Sequence, residues 1–166
     1  MPALNTAPAT GTLNPLDLIE QIAAGLDWNF DRCTDTELAA EAPGKWCTYG
    51  LFFSWSTELS AIHFTCAFDL KVSVPKRKSM YELIALANEH IWIGHFSLDQ
   101  EDGILLFRHA LLLRGIELNI DIFEDLIDIA LTECERLYPA FQFFLWGGQN
   151  PAEAVKAAML NCAGEA

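Results

Sequence analysis

Residues 94–115 read GHFSLDQEDGILLFRHALLLRG, and their pattern identifies a β-hairpin. His95 to Asp99 alternates polar with apolar side chains, Gln100-Glu101-Asp102-Gly103 supplies a turn, and Ile104 to Leu113 is an almost unbroken apolar run. A strand that apolar sits inside a sheet, with helices over at least one face. The Asp-Gly pair accepts positive φ, so the loop is either the two residues Asp102-Gly103 or the four from Gln100 to Gly103. Either length places His95, Ser97 and Asp99 on one face with Arg108, and Phe96, Leu98, Phe107 and His109 on the other. Arg108 is the one cation in its strand and needs a partner, so an Arg108–Asp99 ion pair is expected to fix the register.

Upstream of the hairpin, Pro75 opens a helix whose Met80, Leu83, Ile84, Ala87 and Ile91 recur at helical spacing, with Gly94 as its stop. Lys76-Arg77-Lys78 opposes the dipole at that helix start and reads as a solvated patch, or alternatively as a contact for an anion or an acidic partner. Two strands precede it. Residues 46–55 put Cys47, Tyr49, Leu51, Phe53 and Trp55 on one face, and residues 62–70 do the same with Ile62, Phe64, Cys66, Phe68 and Leu70. They should pair antiparallel. Residues 28–33 and 37–42 are weakly patterned, as a short hairpin or one irregular strand. Asn14-Pro15 caps a first helix that ends at Gly25. Residues 1–13 are small and polar, as a disordered tail would be, and residues 14–166 are read as a single domain.

Downstream, Asn119 caps a long helix with Phe123, Leu126, Ile127, Ala130, Cys134, Leu137 and Phe141 inward, and Pro139 should kink or interrupt it. Asn150-Pro151-Ala152-Glu153 starts a short last helix. The class expected is α+β: a twisted antiparallel sheet with helices mainly on one face.

With 23 acids against 10 bases the net charge is −13, which opposes nucleic acid or an anionic lipid surface as partner. No stretch is long and apolar enough to span a membrane and no signal peptide is visible, so a cytoplasmic protein is expected. Five scattered cysteines, none spaced CxxC, read as buried reduced thiols. His63, His90, His95 and His109 lack any metal-ligand spacing, and no phosphate-binding or dinucleotide fingerprint occurs. No metal or cofactor is expected. His95, Ser97, Asp99 and Arg108 could together supply nucleophile, base, orienter and anion partner, but no strained elbow flanks Ser97, and a polar outer sheet face is the plainer reading.

The segments WIGHFSLDQEDGILLFRHALLLRG (92–115) and YPAFQFFLWGGQNPAEAV (138–155) resemble the YbjN family of bacterial sensory transduction regulators. The likeness extends over about residues 14–160 and is weakest across residues 34–44. It implies the fold of type III secretion chaperones, α-β-β-β-α-β-β-α, with a short C-terminal helix added here. It also implies a non-enzymatic module that dimerises and binds a segment of a partner protein. Candidate surface residues are His95, Ser97, Asp99, Arg108, Trp46 and Phe52. A homodimer is expected because Trp46, Phe52, Leu106 and Ala110 would leave the second sheet face semi-apolar. Two other readings stand beside it: a sensor of a small molecule or anion near Arg108 and His95, and a hydrolase.

Overall fold

A computed structural model describes residues 13–164. The tail expected over residues 1–13 lies, apart from Leu13, outside the described residues. Helix α1 (Pro15–Gly25) is followed by β1 (Phe30–Thr34), β2 (Glu37–Pro43), β3 (Thr48–Ser56) and β4 (Ala61–Lys71). A 3-10 turn (Val74–Lys76) then leads into α2 (Arg77–Asn88), β5 (His95–Leu98), β6 (Ile104–Leu112), α3 (Ile120–Trp146) and α4 (Pro151–Gly164). The strands form one six-stranded sheet in the order β1-β2-β3-β4-β6-β5. Every neighbouring pair is antiparallel, so the class is α+β.

Local chemistry sets the helix starts. Asn14 Oδ1 accepts from the Leu16 amide at 3.0 Å, Asn119 Oδ1 from Ile122 at 3.2 Å and Asn150 Oδ1 from Glu153 at 2.9 Å, three caps of the kind the sequence shows. Four strands precede α2, not three, because residues 30–43 form a hairpin. β1 has no fully buried residue, which is why it carries no alternation, and it is held through Arg32, whose Nη1 lies 3.2 Å from both Asp17 and Glu20 of α1.

Two helix ends differ from expectation. α2 stops at Asn88, six residues before Gly94, because the Asn88 side chain leaves the helix to clamp β5: Oδ1 accepts from the Phe96 amide at 2.7 Å and Nδ2 donates to the Phe96 carbonyl at 3.1 Å. Pro139 lies inside α3 without interrupting it. A proline there costs about 3 kcal/mol or more, but Leu137, Tyr138, Ala140, Phe141 and Leu145 are all buried around it. At about 25 cal/mol per Å² of apolar surface, such burial outweighs one lost hydrogen bond.

The helices cover one face of the sheet. Leu38, Ala40 and Ala42 of β2, Tyr49, Leu51 and Phe53 of β3, and the alternate residues Ile62 to Leu70 of β4 are buried there. Phe96, Leu98, Leu105 and Phe107 continue this layer on β5 and β6. α3 closes it, its Phe141 ring meeting Phe68 at 5.7 Å and Phe96 at 5.3 Å, edge to face.

The thiols are not uniformly buried. Cys66 and Cys134 are, with sulfurs 3.7 Å apart between β4 and α3, whereas Cys47 and Cys162 are half-buried and Cys33 is exposed. Burial pushes the Cys134 thiol well up, and chiefly burial takes Cys47 up to about 11. A thiol reagent added to the native protein should therefore modify Cys33 first and Cys47 slowly, reaching Cys66 and Cys134 only on unfolding. Peptide mapping that finds Cys66 or Cys134 labelled at the rate of Cys33 would contradict this packing.

Candidate functional site

Opposite the helices, the sheet's second face is open. One cross-strand row runs its full width: Asp31 on β1, Ala39 on β2, Phe52 on β3, Thr65 on β4, Arg108 on β6 and His95 on β5. The row passes from an acid through apolar side chains and a hydroxyl to two basic groups. The adjacent row is Glu41, Gly50, Ala67, Leu106 and Ser97, and on the other side lie Glu37, Ser54, His63 and Ala110. The face is therefore acidic at its β1–β2 edge, small and apolar in the middle, and basic toward β6 and β5.

Phe52 stands out of the middle with half its surface, 50%, exposed. Around it Asn29, Phe30, Asp31, Ala39, Glu41 and Gly50 line a shallow pocket of ≈ 370 Å³. Leu112, at the far end of β6, is 73% exposed.

The hairpin has the four-residue loop. Asp99 N donates to the Ile104 carbonyl at 2.8 Å, His95 pairs with Arg108, and Ser97 pairs with Leu106. His95, Ser97, Asp99 and Arg108 thus share a face, but the Arg108–Asp99 ion pair is not formed. Asp99 stands opposite Ile104, four residues along β6 from Arg108, a separation of about 13 Å at strand rise. Its carboxylate instead accepts from the Asp102 amide at 2.8 Å and caps the turn. The turn is held from outside as well: Arg77 donates to the carbonyls of Gln100 at 2.7 Å and Val72 at 3.3 Å. With Lys76 Nζ donating to the Leu145 carbonyl at 2.7 Å, the basic cluster at the start of α2 ties neighbouring segments together. It is not merely a solvated patch.

Trp46 does not belong to the open face. It lies before β3 starts and stacks on Tyr138 of α3 at 5.7 Å, with the rings 3° from parallel. Leu106 has the right parity but is only 8% exposed, so the apolar surface that the dimer expectation rested on reduces to Phe52 and Ala110, to which the structure adds Leu112.

Register alone brings His63 into the site, since β4 pairs with β6 and not with β5. Burial lowers the His63 pKa, as do the nearby Arg108 guanidinium and His95. His109, on the helix-covered side, is lowered by burial and then by His95. Arg108 Nε and Ser97 Oγ are buried without a hydrogen-bond partner among the described residues. Ser97 therefore has no bond to a histidine, and Asp99 is engaged in the turn, so the chain of contacts a serine hydrolase uses is not assembled. Among the described residues no three His, Cys, Asp or Glu side chains converge to hold a metal ion, and no helix is long and apolar enough to cross a membrane.

Sequence reasoning also passed over Trp92, which is 100% exposed three residues before His95. Its signal was available: a large aromatic in a short segment between the end of one element and Gly94, outside any periodic stripe.

Comparison with known proteins agrees with this architecture. The family model YbjN, described as "Putative bacterial sensory transduction regulator", matches residues 15–143. Among solved structures the chain is similar to that of YbjN from E. coli, described as "a putative transcription regulator", at 12% identity and a TM-score of 0.52, covering 72% of this chain and 85% of that one. That likeness concerns the fold. No curated protein matches the chain.

Proposed function

The chain belongs to the YbjN family, and from that membership we propose that it is a cytoplasmic, non-enzymatic regulator that captures a segment of a partner protein on its open sheet face. The observation that carries this reading is the uncovered face itself. Phe52 projects from a floor of Ala39, Gly50 and Ala67, between an acidic edge and a basic one. A partner segment with apolar side chains over the floor and an acidic group toward Arg108 matches it in polarity. Trp92, fully exposed beside the basic edge, is the kind of aromatic that anchors protein contacts.

The test compares affinity capture by the wild type and by Phe52→Gln, a change at an exposed position that leaves the core intact. Wild type should retain one protein in stoichiometric amount, identified by mass spectrometry, and Phe52→Gln should lose it. Identical recovery by both would remove the open face from the proposal.

A second copy is the other occupant the row favours. A two-fold axis parallel to the strands would lay the Asp31 edge over the Arg108 and His95 edge of its mate, so the face is self-complementary in charge. Light scattering that shows a dimer for wild type and a monomer for Phe52→Gln would place the homodimer contact here.

A further inference from the structure

Arg108 is placed differently from the other arginines that hold structure together. Arg32 is tied to Asp17 and Glu20, Arg77 to two backbone carbonyls, and Arg136 to Glu133 and the His90 carbonyl. Arg108 stands in the sheet with Thr65 and His95 level on either side, His63 and Ser97 diagonal to it, and no carboxylate at any flanking position. The acids on β2 are three strand spacings away, about 14 Å or more. Asp99 is turned into its own loop.

A guanidinium whose buried Nε has no acceptor among the described residues is costly to maintain, and so is a buried hydroxyl such as Ser97 Oγ with no partner among them. Both costs are relieved by one kind of group. An oxyanion seated over Arg108 would take the side-on pair of guanidinium donors, a hydroxyl from Ser97 or Thr65, and the ring N–H groups of His63 and His95. We propose that Arg108, His63, His95, Ser97 and Thr65 form a receptor for a small oxyanion, a phosphate or a carboxylate, on the open face of the sheet. In a chain of net charge −13 this is a local reversal of sign, which is what selective capture of a small anion requires. The site goes beyond the regulator reading, because a free anion can bind it whether or not a protein partner does.

The histidine ring resonances report occupancy directly. Titrating the full chain with inorganic phosphate, and separately with acetate, at constant ionic strength should shift His63 and His95 saturably while His90 stays fixed. The anion that saturates identifies the ligand class. Arg108→Gln should weaken that binding by at least about tenfold, the loss of a charge-assisted contact. Should Arg108→Gln fail to fold, Ser97→Ala with Thr65→Val keeps the cation and should still weaken binding severalfold. Shifts that drift equally at all four histidines without saturating overturn the receptor, as does an affinity unchanged in the variants. Phe52→Gln separates the two ideas: it should lose a protein partner and keep the anion.

Discussion

Truncating Phe141 to alanine is expected to lower the unfolding free energy by about 3–5 kcal/mol, the cost of removing a buried aromatic ring from a core that closes only partly. Phe141 is wholly buried, and its ring meets Phe68 of β4 and Phe96 of β5, so it fastens α3 to the sheet two residues beyond Pro139. The edge-to-face contacts are each worth about 0.5–1.5 kcal/mol beyond area burial. Trp146 is a control from the same helix: it is larger but 67% exposed, and Trp146→Ala should change stability by no more than about 0.5 kcal/mol. Urea unfolding of both variants is the measurement, with Phe141→Leu in reserve should the alanine variant be too unstable to study. A loss below about 1 kcal/mol for Phe141→Ala would mean that the segment after Pro139 does not bear on the core. The continuous helix would then be wrong where it matters most.

What the sequence disclosed divides along physical lines. The caps at Asn14, Asn119 and Asn150 rest on contacts within three residues, and all were legible. So was the inner face of β3 and β4, because strict alternation marks a strand with one face buried. Features fixed by distant residues were not. Choosing between hairpin loops of two and four residues needed the turn contacts of Asp99 and the hold of Arg77 on Gln100 from 23 positions away. Extending the β3 alternation back to Trp46 failed because Tyr138 of α3 captures that ring before the strand begins. The interruption that was one of the two outcomes expected at Pro139 does not occur, for a similar reason, since tertiary burial overrides one lost hydrogen bond. The basic site was half visible. His95, Ser97 and Arg108 share a hairpin, but His63 and Thr65 join them only through the pairing of β4 with β6, a choice of neighbour that no local pattern encodes.

Gly94→Ala is expected to be much more damaging than Gly115→Ala, although neither residue has a side chain to lose. Both glycines have positive φ, 74° and 76°, so both substitutions incur the left-handed penalty of about 1–2 kcal/mol. At Gly115 an added methyl would meet nothing within 4 Å, and that penalty should be the whole effect. At Gly94 the methyl would collide with the Phe107 ring and lie 2.9 Å from the Arg108 carbonyl oxygen. Phe107 is fully buried against Phe96 and cannot step aside without disturbing the inner layer, which adds about 1–3 kcal/mol of overpacking. The difference between the two variants in urea unfolding isolates that steric part, since the backbone terms are shared. The sequence assigns Gly94 to stopping a helix, yet α2 has already ended at Asn88. In the folded chain the residue lets the backbone pass tightly over β6 as β5 begins, next to the carbonyl of the very arginine that carries the open-face site. Gly94→Ala should therefore also displace Arg108 and weaken anion binding, whereas Gly115→Ala should leave it unchanged. Equal losses of stability in the two variants would show that no close approach exists at Gly94.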